Sequence, residues 1–240
     1  MRISKLAKVA TLALAFGLVA GTPAYAVDLQ GSGASFPALL IEGCKAGFAA
    51  SGSGHTYVYA SSSSGTGQSN SDKSIGDFWM SDGAYTAATK RASLIHVPLV
   101  AAPIAILHNL PAKTTLSLSA ATIAGIFGGT ITRWNDPAIV ADNNRSTTKV
   151  IYKLDKNGNP KKDVKGVPIV LRTQIVQQHY TLPDKAIKVI YRSDSSGTSE
   201  NFTNYLNKSA SAVWTKAKNK VFKDSFPGDI NSVANLGRVV

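Results

Sequence analysis

A chain of 240 residues with 26 Lys/Arg against 14 Asp/Glu, formal net charge +12, favours anionic partners such as phosphate-like ligands, lipid head groups or nucleic acid. One cysteine excludes an intrachain disulfide, so a packed core must carry stability, and the length suits two modest domains.

Arg2, Lys5 and Lys8 form a basic start, Val9 to Val19 is a short apolar run, and Ala24-Tyr25-Ala26 is a small-x-small cleavage pattern. Residues 1–26 read as a cleavable signal peptide, with Val27 first in the mature chain and a periplasmic or secreted destination. The run is shorter than the roughly 20 residues that span a bilayer. Without Arg2, Lys5 and Lys8 the mature chain keeps a net charge of +9. Its cysteine, Cys44, lies well inside and reads as a small buried hydrophobe.

Val27 to Gln30 reads as an opening strand, Gly31-Ser32-Gly33-Ala34-Ser35-Phe36 as a glycine-rich turn, and Pro37 as the start of a helix to about Ala50. His55 to Ala60 is strand-like and leads into a small-residue loop, Ser61 to Gly67. Leu94 to Leu107, broken by Pro98 and Pro103, reads as two extended strands crossing between domains. Ser119 to Phe127 reads as a helix stopped by Gly128-Gly129, and Arg133 to Pro137 as a turn.

Asn143 to Asp184 is a polar, basic excursion. Arg145 to Arg192 holds eleven Lys/Arg against Asp155, Asp163 and Asp184. Within it, Val150 to Leu154 and Val167 to Thr173 form the arms of a hairpin, with Asn157-Gly158-Asn159-Pro160 at its tip. No aromatic stacking pattern runs through it, which speaks against nucleic acid. Asp155-Lys156-Asn157-Gly158-Asn159 lacks the glycine and glutamate of a calcium loop. Ile187 to Tyr191 is a strand, and Arg192 to Thr198 opens a helix through Leu206. Short strands alternate with helices throughout, without a repeat of fixed period, which indicates an α/β fold.

Three loops, at 31–36, 61–67 and 192–198, are rich in Ser, Thr and Gly and join a strand to a helix. Such junctions present unpaired N–H groups, the positive end of a helix dipole and short hydroxyls, the equipment of an oxyanion site. Taken singly, each serine there is as well explained as a helix cap. Arg192 adds a fork of donors suited to a tetrahedral anion. Asp82 would repel a fully ionised ligand but accept a hydrogen bond from a protonated one, which separates phosphate from sulfate though not from arsenate. No nucleophile elbow, Walker loop or His-Glu-x-x-His motif is present, and His55, His96, His108 and His179 lack metal-ligand spacing.

Gly31-Ser-Gly-Ala-Ser-Phe-Pro37, Ser63-Ser-Gly65, Gly76-Asp-Phe-Trp-Met-Ser-Asp82, Thr122 to Pro137 and Arg192-Ser-Asp-Ser-Ser-Gly-Thr-Ser199 occur in that order. In these stretches the chain resembles the periplasmic phosphate-binding proteins of phosphate ABC transporters, the PstS-like substrate-binding family. The resemblance implies a type II periplasmic-binding-protein clamp of two α/β lobes with phosphate between them, residues 27–104 in the first and 105–240 in the second. It implies phosphate contacts from Ser35 (usually Thr in the family), Phe36, Ser63, Asp82, Arg192, Ser196, Gly197 and Thr198. Asp194 would pair with Arg192 and temper its charge. It also implies no cofactor or metal, no catalysis, a monomer, and delivery to a membrane permease. The basic stretch is longer than in the family, and the chain ends at Val240 where members continue. A C-terminally shortened clamp is therefore expected, with sheet edges of the first lobe uncovered. The alternatives are a secreted adhesive protein that grips polyanions, and a phosphatase-like relative.

Overall fold

A computed structural model describes residues 26–86, 89–90, 92–110, 116–177, 179, 181–233 and 236–239. Almost all of the expected signal peptide lies outside them. The chain divides into two compact units, Met1–His96 and Val97–Val240.

The first unit is a parallel sheet. β1 (Asp28–Ala34) is central, flanked by β2 (Thr56–Ser62) and β3 (Phe78–Met80). The glycines expected to form a turn lie inside β1, because the neighbouring strand leaves no room for side chains there. A Cβ on Gly31 would stand 2.1 Å from the Phe78 ring, and one on Gly33 would stand 2.2 Å from the Met80 carbonyl oxygen. Gly33 also has φ +131°, which few side-chain-bearing residues adopt.

Helix α1 (Ala38–Ala49) packs on β2. Ile41, Lys45 and Phe48 share the inward face, with Phe48 edge-on to Tyr57 at 5.1 Å and the Tyr57 hydroxyl donating to the Ile41 carbonyl. Cys44 falls beside that face and is exposed, contrary to the expectation of a buried cysteine. Position 44 lies roughly 60° round the helix from Ile41, at the edge of a stripe in which only Ile41 is fully buried, so its side chain stays in solvent. Helix α2 (Ser64–Asp72) begins inside the stretch read as a loop, and Ser61 and Ser62 belong to β2. Leu39 and Val58 stay 90% and 47% exposed, so apolar surface is uncovered on this unit.

No strand forms over residues 94–107, which, apart from half-buried Leu94, are exposed. The two prolines remove ladder donors, and no neighbouring strand pairs with the segment. The pair of strands expected there is absent.

The second unit holds the larger core. Helix α3 (Ala120–Phe127) is capped by Ser119, whose side chain accepts from Thr122 N, and ends at Gly128 before Gly129 at φ +77°. Ile123, Ala124, Leu206, Trp214, Phe222 and Phe226 form one buried cluster. Leu110, Ile126, Ile139, Leu182, Ile187 and Val189 form a second. Helix α4 (Pro137–Asn143) follows the Arg133–Pro137 turn, with Asp136 as its cap. β6 (Val189–Arg192) pairs in parallel with β7 (Leu236–Val239), and helix α5 (Gly197–Ser209) follows β6.

The hairpin expected near 150–173 is longer. β4 (Ser146–Tyr152) and β5 (Val170–Gln177) pair antiparallel with one irregularity beside Tyr152. Its tip contains an eight-residue repeat that the sequence reading did not find: Lys153-x-Asp155-x-x-Gly158-x-Pro160, then Lys161-x-Asp163-x-x-Gly166-x-Pro168. Each aspartate accepts two backbone N–H groups of its own turn, and Gly158 and Gly166 have φ +80° and +78°. Lys161 N donates to Lys153 O, Ile169 N to Lys161 O and Lys153 N to Ile169 O, closing a three-membered ring at that period.

Candidate functional site

In the first unit the sheet gathers two of the sequence-predicted loops and the Asp82 segment at the carboxyl ends of its strands. Parallel pairing sets Ala34 beside Ser62 and Gly33 beside Met80, so the residues just after each strand emerge together at the carboxyl ends. Ligands of open α/β sheets bind outside that edge. Ser35 and Phe36 leave β1 there, both exposed. Ser63 leaves β2 and caps α2, its Oγ accepting from Thr66 N at 3.1 Å and lying 3.1 Å from Thr66 Oγ1. When Thr66 donates in that contact, the Ser63 proton is available to an anion. Of Ser61 to Ser64, Ser63 is the one at the cap position.

Asp82 follows β3. Its backbone N donates to Ser64 Oγ at 3.2 Å, which joins the segment after β3 to the start of α2. Gln68 Nε2 donates to Ser81 Oγ at 3.1 Å and to Gly83 O at 2.7 Å, bracketing Asp82 from both sides. Tyr59 donates to Ala34 O at 2.6 Å. Burial and, after it, the charge of Asp82 push its phenol well above the usual range, so the hydroxyl stays a neutral donor. Gly33 and Gly67 let β1 and α2 meet here; a Cβ on Gly67 would lie 2.6 Å from Met80 O. Gln68 and Tyr59 belong to no motif in the sequence, and Ser64 sits in Ser63-Ser-Gly65 without a role of its own there. They become legible only once the strand pairing is known.

The second unit carries the other cluster. Arg192 ends β6, and its guanidinium meets Asp194 in a two-point contact, Nε to Oδ1 at 2.8 Å and Nη2 to Oδ2 at 2.5 Å. The Arg192 hydrogen bond holds the Asp194 carboxyl below the usual carboxylate range. Ser196 is buried and caps α5, accepting from Ser199 N at 3.4 Å. Its own N donates to Lys220 O at 3.0 Å, which ties the loop to the chain beyond α5. Gly197 and Thr198 are the first two residues of this helix, directly after its Ser196 cap.

Glu200, one turn in, was not singled out from sequence. It is buried, accepts from Lys218 Nζ at 2.7 Å through Oε1, and has no hydrogen-bond partner at Oε2 among the described residues. A shallow apolar depression of about 240 Å³ elsewhere in this unit, with Ile104, Leu118 and Trp134 in its lining, shares no residue with the arginine cluster.

A sequence profile described as a PBP superfamily domain matches residues 19–235. The chain belongs to the PBP superfamily. Among individual relatives, this PBP domain is similar to phosphate-binding protein PstS of Pasteurella multocida, 34% identical over 216 residues, 85% of this chain and 49% of that protein. It is similar to phosphate-binding protein PstS 2 of Mycobacterium tuberculosis, 35% identical over 52% of this chain and 25% of that protein. PstS3 of Mycobacterium bovis BCG is 32% identical over 53% of this chain and 25% of that protein. The PBP domain thus spans between a quarter and a half of the relatives it matches. The mixed α/β architecture with parallel pairing in both units agrees with the fold class expected from sequence.

Proposed function

We propose that this PBP domain binds inorganic phosphate and delivers it to the membrane permease of an ABC importer, as an exported, monomeric, non-catalytic protein. The carrying observation is the convergence of Ser35, Phe36, Ser63 and Asp82 at the carboxyl edge of one parallel sheet. Three strand ends meet there, and they bring hydroxyls, helix-start amides and one carboxylate. A phosphate that keeps a proton needs donors for its ionised oxygens and an acceptor for that proton. Arg192, Ser196, Gly197 and Thr198 add the remaining donors, with Asp194 limiting the net positive charge. Relatives named phosphate-binding proteins support the same ligand. Residues 1–26 supply the export signal in this reading.

Isothermal titration of the chain with phosphate and then sulfate at neutral pH tests the proposal. One-to-one phosphate binding without a sulfate signal is expected. Arg192→Ala should cost about 1.5–3 kcal/mol of phosphate affinity, the range for a charged hydrogen bond. Asp82→Asn should let sulfate bind, because the carboxylate that repels it is gone. Unchanged phosphate affinity in Arg192→Ala would remove the assignment. Turnover of a phosphomonoester that disappears in Asp82→Asn would favour a hydrolase instead.

A further inference from the structure

The hairpin formed by β4 and β5 belongs to neither cluster, and its surface has a definite chemistry. From Arg145 to Gln177 no residue is buried, and the two strands make their substantial contacts only with each other. This stretch carries eight Lys/Arg against Asp155 and Asp163. Both aspartates are turned onto backbone amides of the tip, and among the described residues none of the six lysines forms an ion pair. Five of them, Lys153, Lys156, Lys161, Lys162 and Lys165, crowd the double-turn tip.

The ribbon has two unlike faces. Alternation puts Thr148, Val150 and Tyr152 on one side, opposite Ile175, Thr173 and Val170. That face carries no charge, and Tyr152, Val170 and Ile175 on it are 38%, 51% and 70% exposed. Lys149 and Arg172 occupy the other face. An isolated two-stranded hairpin is marginal in water, so leaving this apolar face wet is unfavourable.

We infer that the hairpin is a docking element for an anionic lipid surface: its tip lysines meet the head groups and its uncharged face lies at the acyl boundary. Charge complementarity selects an anionic occupant, and the apolar face selects a lipid interface over a soluble polyanion, which offers nothing to bury Tyr152 or Ile175. Lysine outnumbers arginine six to two here. Flexible point charges suit a diffuse anionic surface, whereas bidentate recognition of discrete groups favours arginine. The tip lysines can lay their methylene stems along the apolar face while keeping their ammonium groups in the head-group layer.

Co-sedimentation of the full chain with phosphatidylcholine vesicles, and with vesicles in which part of that lipid is replaced by phosphatidylglycerol, tests the inference. All variants keep the same amino-terminal apolar run, so binding to phosphatidylcholine alone is the common background. The expected result is an increment with phosphatidylglycerol that shrinks as salt is raised. Changing the five tip lysines to glutamine should lower that increment by at least about tenfold. Tyr152→Ser with Ile175→Ser should lower it as well, although the charge is unchanged. No buried residue is altered, so the thermal melts of the variants should match the parent and separate loss of binding from loss of fold. Replacing chloride by phosphate at equal ionic strength should leave the increment intact; its selective loss would assign the binding to the arginine cluster and overturn the inference. Absence of the increment would also overturn it, as would heparin binding of equal strength that ignores Tyr152→Ser with Ile175→Ser.

Discussion

Arg192 and Asp194, two residues apart at the end of β6, meet through two parallel hydrogen bonds of 2.8 and 2.5 Å, with their side chains about a third exposed. The Arg192 hydrogen bond depresses the Asp194 pKa. A carboxyl whose folded pKa is depressed contributes stability above its unfolded pKa, about 3.9, and that contribution fades as pH falls through the folded value. Melting temperature measured between neutral pH and about pH 2 should therefore drop less steeply in Asp194→Asn than in the parent. Parallel curves would mean that the pair does not stabilise the fold.

Gly33→Ala should disrupt the first unit. The new methyl would sit 2.2 Å from Met80 O at φ +131°, combining a backbone clash with an unfavourable dihedral. A loss of at least about 2 kcal/mol is expected in urea unfolding. Gly52→Ala is the matched control. It has φ +80° but open space around it, so it should cost only the dihedral strain of about 1 kcal/mol. Equal losses would show that the β1–β3 contact yields easily.

Ser63 has two roles that substitution can separate. Ser63→Ala removes the cap of α2 and should cost about 1 kcal/mol of stability. Ser63→Asp keeps a capping oxygen but adds a negative charge at the sheet edge. It should retain near-parental stability in thermal unfolding while losing phosphate binding in titration. Retained binding would take Ser63 out of the site.

Asn143 is fully buried at the end of α4. Its Nδ2 donates to Ser117 O and Ile139 O at 2.9 and 2.8 Å, and its Oδ1 accepts from Ser117 N at 2.8 Å. Asn143→Ala leaves those groups unpaired, and chemical denaturation should show a loss of about 1–3 kcal/mol. A loss within about 0.5 kcal/mol would place this contact among those that surface substitution disturbs.

Local chemistry by itself determined much of this protein. Ser119 before an apolar run and Gly128-Gly129 after it bound α3, because cap and stop signals act within one turn of a helix. Arg192 to Thr198 was legible as a strand-to-helix junction for the same reason, and Asn157-Gly158 announced a hairpin. What needed distant partners stayed hidden. Gly31 and Gly33 read as a turn until Phe78 and Met80, over forty residues away, stood against them. Cys44 read as buried until the face of α1 chose Ile41, Lys45 and Phe48. Residues 94–107 read as strands from their apolar character, yet a strand exists only where another pairs with it. The convergence of Ser35, Ser63 and Asp82 depends on three parallel strands ending together, and the bracing by Ser64 and Gln68 depends on that convergence. Residue types set which groups could meet an anion. Only strand pairing decided which of them share an edge, because pairing joins positions that are far apart along the chain.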